Sequence, residues 1–507
     1  MRRDLHVPRA APILGAFAAM GTRRLAIGNL GLGGLADDLL GGLDRLREQA
    51  GSAFDPTLRL GVTGLAGAGK TVFITALVAS LISRDRMRLL GAEAEGRIEA
   101  VMLRPQPDPD LPRFAFEAHM AVLGATPPHW PESTRSVSQI RVAIRHRPRG
   151  ILAGLAGPVT LNLDIVDYPG EWLLDLPLIE QDYDEWATGA LAAAASPARR
   201  DHAAGWRGAL AATDPAGPHD EAAAERLAEA YRGYLAACRA AGLSALAPGR
   251  FLMPGELAGS PALTFAPLPR PEGGAPRGSL YAEMRARFDA YRRVVAKPFF
   301  RNHFARLDRQ VVLIDALGAL ADGPRALADL TASMGETLAA FRHGRPGWLD
   351  RITGARRIDR ILFAASKADH LHHAQHARLA RLVETMLAEA ARRAAFRGAR
   401  TRGMAIAAIR ATAEQEVTEK GRSVGLVRGV RARDGREVAI YPGALPEEPG
   451  ALMAAAEAAR PGDAPADWPD MRYATLDFAP PRWPEGSGPP HLRLDQALDF
   501  LIGDRLE

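Results

Sequence analysis

Apolar positions along this chain follow two periods, and the two alternate. Short apolar or alternating runs at residues 58–62, 98–103, 139–145, 159–166, 310–315, 360–365 and 403–409 have the length of strands. Between many of them apolar residues return every three or four positions. Val72, Phe73, Ala76, Leu77, Leu81 and Ile82 mark one such helix, and residues 114–123, 325–341, 375–396 and 494–502 mark others. Strands separated by helices predict an α/β fold, a mostly parallel sheet with helices on both faces. The runs 139–145 and 159–166 are joined by Arg147-Pro148-Arg149-Gly150 and further glycines, so they predict an antiparallel hairpin.

Residues 187–300 interrupt this rhythm. Ala-rich helical pieces at 187–195 and 222–241 alternate with Pro/Gly loops at 215–218 and 267–276, and a helix at 281–291 leads back to the strands. The organisation expected is a tail with an amphipathic helix carrying Leu35, Leu39, Leu40, Leu43 and Leu46 on one face (1–50), then a first core segment (51–186). A mainly helical insertion (187–300) and a second core segment (301–416) follow. The remainder, 417–507, predicts an appended hairpin, 426–432 with 437–441 around Asp434-Gly435, and a Pro-rich stretch with a closing helix.

Composition narrows the class. The chain has 507 residues, 47% of them apolar and 24% charged, which suits a globular protein. Its single cysteine, Cys238, allows no internal disulfide and fits a reducing compartment. No run of about 18 apolar residues predicts a membrane span. Arg2 and Arg3 precede an apolar run at 10–20, but we read this stretch as an over-extended start or a tail, with Met20 as an alternative first residue. High Ala and Arg usage is the pattern of a GC-rich bacterial genome. The net charge of +5 is small for the length, and no arginine/aromatic interleaving points to specific nucleic-acid binding. Four lysines remain among 64 basic residues: Lys70, Lys297, Lys367 and Lys420. So sparing a use keeps lysine where a flat guanidinium cannot replace a compact ammonium. Two of the four fall in the motifs that follow.

Residues 64–71, Gly-Leu-Ala-Gly-Ala-Gly-Lys-Thr, lie between the first strand and the first helix and match G-x-x-x-x-G-K-[ST]. Strand, glycine loop and helix in that order make a P-loop phosphate cradle. The expected nucleotide set is Gly64, Ala66, Gly67, Ala68, Gly69, Lys70, Thr71 and Val72. Lys70 reaches the β/γ-phosphates, and the Thr71 hydroxyl holds Mg²⁺. The strand at 159–166 runs into Asp167-Tyr168-Pro169-Gly170-Glu171-Trp172. Asp167 at its end suits a Mg²⁺-associated carboxylate, and the Gly170 N–H suits a γ-phosphate contact. Thr134, with Ser133 as competitor, sits where a switch threonine closes on Mg²⁺. Glu171 stands where a water-orienting glutamine is usual, so slow turnover is expected. Arg135 or an arginine of the insertion could neutralise transition-state charge.

Ser366-Lys367-Ala368-Asp369 is close to the guanine-recognition pattern [N/T]-K-x-D. Asp369 would accept from the guanine N1–H and N2 amino groups, while the Lys367 stem covers the purine face. Adenine would leave that carboxylate without its donors. Thr412 and Ala413 are expected to meet the base through their backbone. His370, His372 and His373 follow the motif and read as a surface helix rather than a metal site.

Taken together, the glycine loop, Trp130-Pro-Glu-Ser-Thr134, the Asp167–Trp172 block with Leu173-Leu174-Asp175, Gln310-Val-Val-Leu-Ile-Asp315 and Ser366-Lys-Ala-Asp-His370 resemble the YcjX-like family of bacterial P-loop GTPases, from about residue 28 to the end. The resemblance implies a Ras-like core with a helical insertion, GTP/GDP and Mg²⁺ as ligands, and GTP hydrolysis. It also implies a cytoplasmic place with at most peripheral contact with the inner membrane, a link to cell-envelope stress and a membrane protein encoded nearby as partner. Two other readings are carried forward: a nucleotide-dependent binding module with little hydrolysis, and an ATPase.

Overall fold

Seven strands form the central sheet: β1 (Thr57–Gly64), β2 (Ile98–Arg104), β3 (Ser138–His146), β4 (Val159–Asp167), β5 (Arg309–Ile314), β6 (Arg360–Ala365) and β7 (Arg400–Ala405). Their spatial order is β2-β3-β4-β1-β5-β6-β7. The strands from β4 to β7 in that order run parallel, while β2 and β3 close one edge as antiparallel neighbours. The computed structural model describes residues 55–65, 67–132, 136–150, 157–197, 199–241, 243, 246–339, 358–396, 398–419, 421–459, 468 and 476–507. All of them fall within one compact unit, Asp55–Glu507. The predicted amphipathic helix and the alternative start at Met20 lie outside the described residues.

The central strands are apolar on both sides because both sheet faces are covered, and successive side chains point to opposite faces. In β5, Val311 and Leu313 join a core with Phe73 and Leu77 of the helix Lys70–Ser83 and with Leu498 and Leu501 of the helix Leu494–Ile502. Val312 and Ile314 join a second core with the helices Ala316–Asp322, Pro324–Ala339 and His376–Met386. The C-terminal helix is tied to the sheet by Arg309, which is fully buried. Its Nε donates to the Leu501 carbonyl at 3.0 Å and its Nη2 to Asp504 at 2.8 Å.

Residues Leu178 to Val295 contribute a separate apolar cluster, rich in aromatic side chains. Trp186 stacks on Phe288 (4.8 Å, 13°) and Trp206 on Tyr234 (5.3 Å, 17°). The helix expected from residue 187 starts earlier, at Tyr183. Asp182 and Glu185 form a capping box there, satisfying two N–H groups that the helix start leaves open. Among the described residues no helix is long and apolar enough to cross a membrane.

Three sequence expectations are corrected. The run 375–396 is two helices, His376–Met386 and Ala388–Phe396, rather than one. The last strand of the main sheet is Arg400–Ala405, not 403–409. The appended hairpin is a three-stranded antiparallel sheet, β8 (Thr412–Glu419), β9 (Arg422–Val430) and β10 (Glu437–Ile440). Residues 412–419 carry few apolar side chains, so periodicity could not reveal β8.

Candidate functional site

β1 stops at Gly64, and the next helix begins at Lys70. The intervening turn needs backbone angles that a Cβ disfavours: Gly67 has φ +82° and Gly69 φ +86°. Lys70 folds back across the turn, its ammonium donating to the Gly64 carbonyl at 2.7 Å. Gly67, Ala68, Gly69, Lys70, Thr71 and Val72 line one end of a cleft of about 470 Å³. Ala66 lies outside the described residues.

The opposite wall of the cleft follows β6. Lys367 takes a left-handed conformation (φ +58°) and its ammonium lies 2.5 Å from Asp315 Oδ2. Asp315 directly follows β5 and caps the next helix, accepting from the Gly318 N–H at 2.9 Å. Asp369 is 4% exposed, and burial raises its pKa. Its Oδ2 accepts the Ala411 N–H at 2.7 Å, while the Thr412 hydroxyl donates to the Asp369 carbonyl. The Ser366 hydroxyl donates to the Ile314 carbonyl at 3.3 Å.

Thr412 and Ala413, expected to face the base, stand on β8 outside the cleft lining. Because β7 ends at Ala405, the backbone beside Asp369 is that of Ile406 to Ile409 and Ala411. Sequence reasoning missed Asp315, Trp130 and Leu476 to Phe478, which also line the cleft. Asp315 had a legible signal, an acidic residue between an apolar strand and a helix. Phe478 had none, because its placement depends on Gly429 of β9, where a Cβ would come within 2.7 Å of the Phe478 ring.

Asp167 ends β4, paired in register with Val62 and only 1% exposed. Gly170 then approaches β1 so closely that a Cβ would lie 2.5 Å from the Gly64 carbonyl oxygen. The following turn of 3₁₀ helix, Gly170–Asp175, packs on the insertion. Arg239 Nη2 lies 3.3 Å from Glu171 Oε1, and the Trp172 indole N–H donates to Met253 O at 2.9 Å. The Arg250 guanidinium covers the Trp172 ring, 3.2 Å from its centroid. Asp175 accepts from the Gly249 N–H (2.7 Å) and the Tyr291 hydroxyl (2.6 Å), and burial pushes its carboxyl up to about 6. Glu171 is therefore engaged with the insertion and is not among the cleft-lining residues. Ser133, Thr134 and Arg135 lie outside the described residues.

The three histidines after Asp369 do not form a surface helix. His370 ends one 3₁₀ turn in the cleft wall and exposed His373 starts a second, with buried His372 extended between them.

Residues 58–506 match the model of the YcjX-like family, DUF463. The chain is 38% identical to the Ras-like GTPase YcjX of Escherichia coli (strain K12) over 466 residues, 89% of this chain and 96% of that protein. It is 37% identical to the Ras-like GTPase YcjX of Shewanella oneidensis over 477 residues, 89% of this chain and 95% of that one.

Proposed function

The chain belongs to the YcjX-like family, and from that membership we propose that it binds guanine nucleotides in this cleft and hydrolyses GTP slowly, as a switch. One observation carries the reading. A glycine cradle with its lysine and a buried aspartate carboxylate line the same cleft, which suits a phosphate chain at one end and a purine at the other.

Gly67 and Gly69 leave the loop N–H groups open to phosphate oxygens, aided by the positive end of the helix that follows. Lys70 exchanges its contact with the Gly64 carbonyl for the β/γ-phosphates. Thr71 and Asp167 offer oxygen donors only, the set that Mg²⁺ takes, and the ion would neutralise phosphate charge. Asp369 accepts from guanine N1–H and N2–H, and Lys367, steadied by Asp315, covers the base. The Gly170 N–H is assigned to the γ-phosphate. Thr134 and Arg135 keep their sequence assignments, closure on Mg²⁺ and charge neutralisation. Glu171 orients the attacking water after release from Arg239. The envelope-stress setting and a membrane partner enter as what the resemblance implies.

A nucleotide-dependent binding module that barely turns over is the second reading, favoured by the pairing of Glu171 with Arg239. Single-turnover assays with and without Mg²⁺ separate the two, with Lys70→Ala as control. Release of inorganic phosphate that needs Mg²⁺ and Lys70 supports the switch; its absence under all conditions selects the binding module.

A further inference from the structure

Just beyond the base-binding segment, three side chains meet that nucleotide chemistry does not use. His373 Nδ1 lies 2.5 Å from Glu414 Oε2, and His372 Nε2 lies 3.7 Å from the same oxygen. These ligand atoms all fall within 4.8 Å of one another, the single such group of His, Cys, Asp or Glu among the described residues. Glu416 brings a further oxygen to 3.8 Å from His372 Nε2. We propose that His372, His373 and Glu414, with Glu416 as fourth donor, bind a divalent transition-metal ion, Zn²⁺ foremost, and that the ion pins the base-binding segment to β8.

The donor set decides the class of ion. Imidazole nitrogens suit Zn²⁺ and its transition-metal neighbours, whereas Mg²⁺ and Ca²⁺ take oxygen. A tetrahedral ion with bonds of about 2.0–2.1 Å spaces its donors about 3.4 Å apart, so small side-chain movements close the set.

The surroundings hold the donors ready. His372 is buried against β9, where Gly425 makes room for the ring; a Cβ there would lie 2.5 Å from His372 Cγ. Arg410 Nη2 holds Glu414 Oε1 at 3.3 Å, which leaves Oε2 towards the imidazoles. Outer contacts of this kind orient metal ligands. The connection to the cleft is short. Asp369 precedes His372 by three residues, and Ala411 precedes Glu414 by three. Asp369 already accepts from the Ala411 N–H and the Thr412 hydroxyl. A metal between His372, His373 and Glu414 would close a second link between the same two segments.

Calorimetric titration of the full chain, chelator-treated and nucleotide-free, with ZnCl₂ tests the site. One equivalent should bind, with affinity reduced about tenfold or more in His373→Ala and in Glu414→Gln. His373 is exposed, so its removal should leave folding unchanged, as circular dichroism would register. Zinc should also slow amide exchange in residues 366–373 and 411–416 of the wild type and not of His373→Ala. No stoichiometric binding, undiminished binding in both variants, or unchanged exchange would each overturn the proposal. All readouts are taken without nucleotide, so they stand or fall apart from the guanine reading.

Discussion

Arg239, on the insertion helix Glu221–Ala240, and Glu171, next to the Gly170 backbone, form an ion pair at 3.3 Å across 68 residues of sequence. The pair links the insertion to the segment that follows Asp167 at the end of β4. It also neutralises a buried carboxylate next to Gly170, whose N–H we assign to the γ-phosphate. Replacing Arg239 with alanine removes this guanidinium from the Glu171 carboxylate. GTP affinity should then fall about three- to tenfold relative to GDP, on the order of 1 kcal/mol. Adding Glu171→Gln should restore the ratio. Titration with both nucleotides checks this, and an unchanged ratio contradicts it.

Gly249 touches the same segment from the other side. A Cβ there would sit 1.8 Å from the Glu171 carbonyl oxygen, backbone against backbone, so Gly249→Ala must displace one of them. Overpacking of this kind costs about 1–3 kcal/mol. The expected result is impaired GTP turnover with GDP affinity within about twofold of wild type, because neither Gly249 nor Glu171 is among the cleft-lining residues.

Asp175 gives the insertion contact a pH dependence. Burial raises its carboxyl from an unfolded value near 3.8 to about 6. The folded chain therefore holds the proton more tightly. The stabilisation from this group is complete below the unfolded value and is lost as pH rises through about 6. Relative to Asp175→Asn, the wild type should lose stability between pH 4 and 7, by at most on the order of 3 kcal/mol. Urea unfolding of both proteins across that range measures the difference. A constant difference would show that Asp175 titrates normally.

Arg309 anchors the closing helix through Asp504 and the Leu501 carbonyl, and no part of its side chain is exposed. Asp504→Ala removes one partner of a buried guanidinium and should cost about 2 kcal/mol of stability. Denaturant unfolding should register the loss, with nucleotide selectivity unaltered.

Local chemistry was legible in the sequence where the backbone itself demanded a residue type. Gly67 and Gly69 are required by positive φ, and Asp167 ends an apolar strand, so the glycine turn and the end of β4 could be read directly. The alternation of strands with helices foretold the parallel sheet for the same reason. What stayed hidden depends on contacts distant in sequence. Nothing local to Glu171 announces Arg239, and nothing near Trp172 announces the guanidinium of Arg250. Strand β8 escaped because its polar sequence lacks a buried face, so the sequence did not show that residues 406–409, rather than Thr412 and Ala413, line the cleft. The histidines misled in a different way, since Gly425 creates the space that buries His372.

The central claim is that the buried Asp369 carboxylate selects guanine in this cleft. The most direct test is titration of wild type, Lys70→Ala and Asp369→Ala with fluorescent GDP and ADP in Mg²⁺. The account predicts tight GDP binding and weak ADP binding in the wild type, loss of GDP binding in Lys70→Ala, and loss of the guanine preference in Asp369→Ala. Equal affinity of the wild type for both nucleotides, or a preference unchanged by Asp369→Ala, would contradict it.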